Sequence, residues 1–180
     1  MRSFLPTVIF LLLIFALEGC SRSSSSDAGR PPQIAATSRP EVRLSTDVVK
    51  LSSSKVEIAA GGTAEATLTL SVSAGFHVNA NPPSFPYLIP TSVEQHPDPV
   101  AHITMGKPVY PRPVDKKFAF SEQPIAVYEG EVPIGLPLRA ERQAPKGEAP
   151  VFITVRVQAC DHEKCYPPAS VDFTVTLNVK

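Results

Sequence analysis

The sequence predicts an all-β domain, an antiparallel sandwich of many short strands. Three observations carry this expectation. Several stretches alternate apolar and polar residues with period 2, the spacing that puts one set of side chains on each face of a strand. Twenty prolines and no tryptophan in 180 residues, with few runs of helix formers, argue against a helical bundle. Turn signals recur at short intervals, as they do in sandwiches.

In chain order, the first two expected strands cover 42–51 and 55–59. Gly61-Gly62 follows and reads as a hairpin turn. In the third run Ala64, Ala66, Leu68, Leu70 and Val72 alternate with mostly polar neighbours, so one edge faces a core. A fourth candidate, 75–79, ends before Asn81-Pro82-Pro83, and further candidates cover 100–104, 116–120 and 125–138. Pro-rich segments near 108–113 and 145–150 punctuate them. Val151, Ile153, Val155 and Val157 then define a strand over 151–158. The last strand, 169–179, is the clearest, with Val171, Phe173, Val175, Leu177 and Val179 on one face and Asp172, Thr174, Thr176 and Asn178 on the other.

The residues before the domain read differently. Arg2 precedes an almost unbroken apolar stretch from Phe4 to Leu17, shorter than the roughly 20 residues that span a bilayer. With its charged front and a small residue before Cys20, it reads as a cleaved export signal over 1–19. Leu17-Glu18-Gly19-Cys20 resembles the lipobox of bacterial lipoproteins, although Glu18 departs from the usual small or apolar residue. The resemblance implies lipidation of Cys20. Residues 20–41, rich in Ser, Pro and Arg, hold one branched aliphatic residue, Ile34, and read as a tether that buries too little surface to order itself. The domain is expected over 42–180, long enough for a core of its own.

Composition and motifs narrow the function. Lys plus Arg equals Asp plus Glu at 17 each, so no basic face points to nucleic acid. No phosphate-binding glycine loop is present, and no cofactor is expected. His77, His96, His102, His162 and Ser121-Glu122 form no recognisable nucleophile–base arrangement.

With Cys20 assigned to lipid, Cys160 and Cys165 remain, in the connection between two strongly alternating strands. In an oxidising compartment such neighbours pair. A bridge closing so short a loop removes little freedom from the unfolded chain, on the order of 2 kcal/mol, and a domain of this size has a core without it. A structural staple and a redox pair are therefore both open. Metal binding is the third reading: Cys160, His162 and Cys165 could hold copper or zinc, but three donors from one short loop are cramped and no fourth is evident. Asp161 and Glu163 would raise a thiol pKa, and Lys164 and a protonated His162 would lower it. Tyr166-Pro167-Pro168 stiffens the loop and removes two backbone donors, so a rigid, exposed bridge is expected.

The run from Val157-Gln158-Ala159-Cys160 to Cys165-Tyr166-Pro167-Pro168, followed by one amphipathic strand, resembles the N-terminal periplasmic domain of the thiol:disulfide interchange protein DsbD. The likeness extends upstream through GFHVNANPP, YLIPTSVE and VYEGEVPIGLPL, and covers about 50 to 180. It implies an immunoglobulin-like sandwich whose pair takes electrons from a membrane carrier, DsbD-like or CcdA-like, and passes them to periplasmic thioredoxin-like proteins through mixed disulfides. Cys165 would bond to the partner and Cys160 would resolve the bond; any enzymatic activity would be protein-disulfide reduction.

The resemblance also implies a cap loop with an aromatic side chain over the pair. Phe118-Ala119-Phe120-Ser121-Glu122 matches it, with Phe120 as the cap; Phe118 and Phe120 equally suit a strand with both rings in the core. Lys116 and Lys117 stand where the family has acidic residues. His77 and Asn79 stand where it has tyrosines, and both could hydrogen-bond or move protons, although a surface histidine is more often only solvated. Tyr166 supports the pair from the next position. DsbD continues into a transmembrane carrier and a thioredoxin-like domain, whereas this sequence ends at Lys180. The expectation is a separate membrane electron donor, with the lipid anchor holding the domain at the membrane on its periplasmic side. The rival readings are a lipoprotein interaction module with a structural disulfide and a copper-handling protein.

Overall fold

The computed structural model describes residues 44–97 and 102–180. The expected export signal, Cys20 and the tether lie outside the described residues, as do the first residues of the strands expected at 42–51 and 100–104.

A 3-10 turn at Ser45–Val48 leads into twelve strands: β1 (Val49–Ser53), β2 (Val56–Ile58), β3 (Thr63–Val72), β4 (His77–Asn79), β5 (Ser92–Gln95), β6 (Ile103–Met105), β7 (Val114–Lys116), β8 (Ile125–Tyr128), β9 (Glu131–Ala140), β10 (Gly147–Val157), β11 (Ala159–Cys160) and β12 (Ala169–Val179). They form three four-stranded sheets, ordered β1-β3-β9-β6, β2-β12-β10-β5 and β11-β4-β8-β7. Every pairing is antiparallel except β2 with β12. The described residues contain no α-helix, and the fold is an immunoglobulin-like sandwich.

Two long pairs, β3 with β9 and β10 with β12, are the backbones of the first two sheets. Their alternation sends Leu68, Leu70, Ile134 and Leu136 from one sheet and Val151, Ile153, Val155 and Leu177 from the other into one core, each at most 1% exposed. Burying each such side chain stabilises the fold by about 1.5–3 kcal/mol. A smaller apolar cluster, Leu88, Phe118, Ile125 and Val127 with Phe85 against it, packs on the third sheet. This third sheet positions the cysteines.

The strands depart from the sequence expectation in ways with physical causes. Residues 125–138 are two strands in different sheets, separated at Gly130, whose φ of 61° lies in the left-handed region. Gly61-Gly62 does form a turn, with the Gly62 amide donating to the Ala59 carbonyl, but β2 and β3 belong to different sheets, so it is a crossing and not a hairpin. β10 begins four residues before the expected start. Its Pro150 is tolerated because the pairing of β5 covers only Ile153–Arg156, so the missing amide falls where β10 has a single neighbour. The strand expected over 116–120 stops at Lys116, and Phe118 and Phe120 lie in a turn closed by the Ser121 amide donating to the Phe118 carbonyl. β5 has no counterpart in the sequence reading.

Candidate functional site

The connection between β10 and β12 folds into a hairpin of its own. Cys160 and Cys165 face each other as an antiparallel pair, joined by a disulfide with Cα atoms 3.9 Å apart. On one side of them the Tyr166 amide donates to the Ala159 carbonyl at 2.8 Å; on the other the Asp161 amide donates to the Lys164 carbonyl at 2.9 Å. Asp161–Lys164 is thus the turn, and an aspartate at its first position suits the role because its side chain can bond the backbone ahead of it. Asp161 Oδ1 accepts from the Glu163 and Lys164 amides at 2.8 and 2.9 Å, and Oδ2 accepts from the Tyr166 hydroxyl at 2.6 Å. The Tyr166 hydrogen bond, helped by the two amides and the Lys164 charge, holds the Asp161 carboxyl down at about 2. The Lys164 ammonium lies 5.3 Å from the centre of the Tyr166 ring, which also packs against Phe76.

The two sulfurs do not meet the same surroundings. Cys160 is completely buried and Cys165 is exposed. The expectation of an exposed bridge is therefore corrected: one half is inside the protein because β11 pairs with β4, a contact between residues about 80 positions apart. His77 is likewise not a surface residue. It is 3% exposed, its ring is stacked on Phe118 at 4.2 Å, and burial lowers its pKa to about 4.

Phe118 is buried, and Phe120, 42% exposed, stacks on it at 5.2 Å from the rim; the His162 ring is 6.4 Å from Phe118. The loop 117–122 that carries both phenylalanines is closed by the Lys117 ammonium donating to the Glu122 carbonyl. Lys116 pairs with Glu129 on the strand side. The expected residues Cys160, Cys165, His77, Phe118 and Tyr166 are thus brought together, with Phe120 outermost.

Asn79 lies two residues from His77 along β4 and is fully engaged. Its side-chain amide nitrogen donates to the Ile89 carbonyl at 3.0 Å and to Gln158 Oε1 at 3.2 Å, and its backbone carbonyl accepts from the Thr91 hydroxyl at 2.8 Å. Asn79 therefore ties the hairpin to residues 89–91. Sequence reasoning missed Ser45, which is completely buried, accepts from the Ala159 amide at 2.9 Å and donates to the Pro167 carbonyl at 2.6 Å. Nothing local marks it, since its partners lie more than 110 residues away. Elsewhere His96 bonds Thr154 and His102 bonds Glu141. Among the described residues no group of three His, Cys, Asp or Glu side chains is gathered as a metal ion would require.

A family model described as thiol:disulfide interchange protein DsbD, N-terminal, matches residues 46–177. The chain belongs to this family. It is a periplasmic thiol–disulfide domain whose disulfide-forming pair is Cys160 and Cys165. Among solved structures it is similar to the N-terminal periplasmic domain of ScsB from Proteus mirabilis, with 11% identity, a TM-score of 0.50, and 73% of this chain and 47% of that one covered, so this chain spans about half the length of that relative. It is also similar to the DsbD N-terminal domain from Neisseria meningitidis in the reduced form, with 18% identity, a TM-score of 0.44, and 73% and 85% of the two chains covered. No curated protein matches it.

Proposed function

We propose that the domain relays electrons from a DsbD-like or CcdA-like membrane carrier to periplasmic thioredoxin-like proteins, with Cys165 as the sulfur that bonds to the partner and Cys160 as the sulfur that resolves the bond. The observation that carries this reading is the difference between an exposed Cys165 and a buried Cys160 on one hairpin. A partner sulfur reaches one of them and not the other.

In the forward step the Cys165 thiolate attacks the partner's disulfide, forming a mixed disulfide and expelling one partner thiolate. Cys160, as thiolate, then attacks Cys165 Sγ, the mixed disulfide breaks, and the second partner thiolate leaves. The partner gains two electrons and the domain ends as the Cys160–Cys165 disulfide. Reduction by the membrane carrier is the same sequence in reverse. The loop 117–122 acts as a cap over the pair, with Phe118 as its seated ring and Phe120 as the ring a partner meets first; the stack of Phe120 on Phe118 and of Phe118 on His77 supports this. Lipidation of Cys20, favoured by Leu17-Glu18-Gly19-Cys20, would hold the domain at the membrane, and acyl labelling of wild type against Cys20→Ser tests that part.

The relay itself is tested by equilibrating the pair against glutathione and by trapping. A redox pair has a potential well above the roughly −300 mV below which structural bridges lie, and Cys160→Ser accumulates a mixed disulfide with a thioredoxin-like protein through Cys165. A potential below that value, with no trapped adduct, would mean the bridge is a staple.

A further inference from the structure

His77 and Cys160 stand directly opposite each other on neighbouring antiparallel strands. Directly opposed side chains on such strands project from the same face, with Cβ atoms about 5 Å apart. The adjoining opposed pair, Val78 and Ala159, enters the main core, so alternation puts the imidazole and the Cys160 sulfur together on the other face. Cys165 is opposed to Cys160 from its other side, and the row across β4, β11 and the returning arm of the hairpin reads His77, Cys160, Cys165. Phe118 covers the imidazole, and both His77 and Cys160 are closed to water.

This geometry sets a chemical demand that the relay leaves open. To resolve a mixed disulfide, Cys160 must act as a thiolate, yet burial favours its neutral thiol and keeps water from taking the proton. We propose that His77 is the proton acceptor for Cys160, an inference that rests on the relay function proposed above. The Cys160 S–H proton passes to an imidazole nitrogen of His77. The electron pair left on Cys160 forms the bond to Cys165 Sγ, and the bond from Cys165 to the partner breaks, its electrons leaving on the partner's thiolate. The partner disulfide is the oxidant, reduced by two electrons overall. The imidazolium then releases its proton to solvent, and the departing thiolate takes one up. When the domain is reduced the proton runs the other way, onto Cys160 as it leaves.

The surroundings act on the imidazole in both directions. Burial lowers its pKa to about 4, which keeps the lone pair free before transfer and by itself disfavours the imidazolium, so the proton is held only with help from nearby negative charge. The charges around it come from several elements: Glu129 and Asp161 favour the imidazolium, and Lys116 and His162 oppose it. A new thiolate beside the ring adds to the favourable side and holds the proton until the sulfur has reacted.

The test uses the reduced full-length protein and oxidised glutathione, following by quenched mass spectrometry the Cys165–glutathione adduct and its conversion to the Cys160–Cys165 disulfide. His77→Phe keeps an aromatic ring against Phe118 and removes the acceptor; His77→Gln keeps polarity without basicity. In both, adduct formation should keep its rate while resolution near pH 7 slows by about a hundredfold, the low end of what a positioned base contributes, and recovers as pH rises. Resolution at the wild-type rate and with the wild-type pH profile in either variant overturns the assignment of His77 and leaves the relay standing. Wild-type protein that forms no adduct at Cys165, or never resolves it, overturns the relay and this inference with it. Should neither variant fold, ring-nitrogen NMR of reduced wild type decides: His77 shifts should report a titration step at the Cys160 thiol that vanishes in Cys160→Ser, and its persistence there overturns the proposal.

Discussion

The Tyr166 hydroxyl donates a 2.6 Å hydrogen bond to the Asp161 carboxylate, across the same turn that sets Cys160 against Cys165. Together with the two amides that Asp161 also accepts, it gives the hairpin a fastening that does not depend on the disulfide. With the disulfide reduced, this fastening should keep the pair apposed.

This fastening has a pH signature. The Asp161 carboxyl is held at about 2 in the folded protein, below its ordinary 3.8, so the folded state favours the ionised form. Its stabilisation is complete above the unfolded value and is lost as pH falls through about 4 towards 2. Asp161→Asn should flatten that part of the stability profile, measured by urea unfolding across the acid range. The change should stay within about 1 kcal/mol, because the group is only partly buried and solvent screens it.

Alkylation rates should separate the two sulfurs. Cys160→Ser leaves the exposed Cys165 thiol, and Cys165→Ser leaves the buried Cys160 thiol. With iodoacetamide under native conditions the first should react at least about tenfold faster, since access and thiolate character govern thiol reactivity. Equal rates would remove the basis for assigning different roles to the two cysteines.

The two phenylalanines of the loop should respond unequally. Phe118 is buried in an apolar cluster and against His77, so Phe118→Ala should destabilise by about 3 kcal/mol and speed reduction of the disulfide by dithiothreitol. Phe120 is 42% exposed, and Phe120→Ala should change stability by less than about 1 kcal/mol. Denaturant melts of the two variants, run beside the reduction assay, check both statements.

Ser45→Ala should destabilise by about 1–3 kcal/mol, because it strands the Ala159 amide and the Pro167 carbonyl at the base of the hairpin. Ser45→Cys, which keeps a weak donor and acceptor, should lose less. Urea midpoints rank the two variants against wild type.

How much of this was legible in the sequence follows the physics of each element. β3, β10 and β12 bury one face and wet the other, so their period-2 patterns survive in the residues themselves. β5 has one buried residue, Val93, between Ser92 and Glu94, and so short a strand leaves no period to find. The pair and its flanking strands were visible because they are local. The burial of Cys160 and His77 was not, since it comes from β11 meeting β4, and two- and three-residue strands brought together from distant positions carry no signal of their partner. The same holds for Ser45, an ordinary serine until the fold places it under the hairpin.

The uneven exposure of the two sulfurs also constrains traffic. If only Cys165 meets the outside, electrons enter and leave through a single atom, and donor and acceptor must take turns at one doorway. Such a shuttle obeys ping-pong kinetics, and an excess of either partner crowds out the other. Delivery is then fastest when the two are in balance.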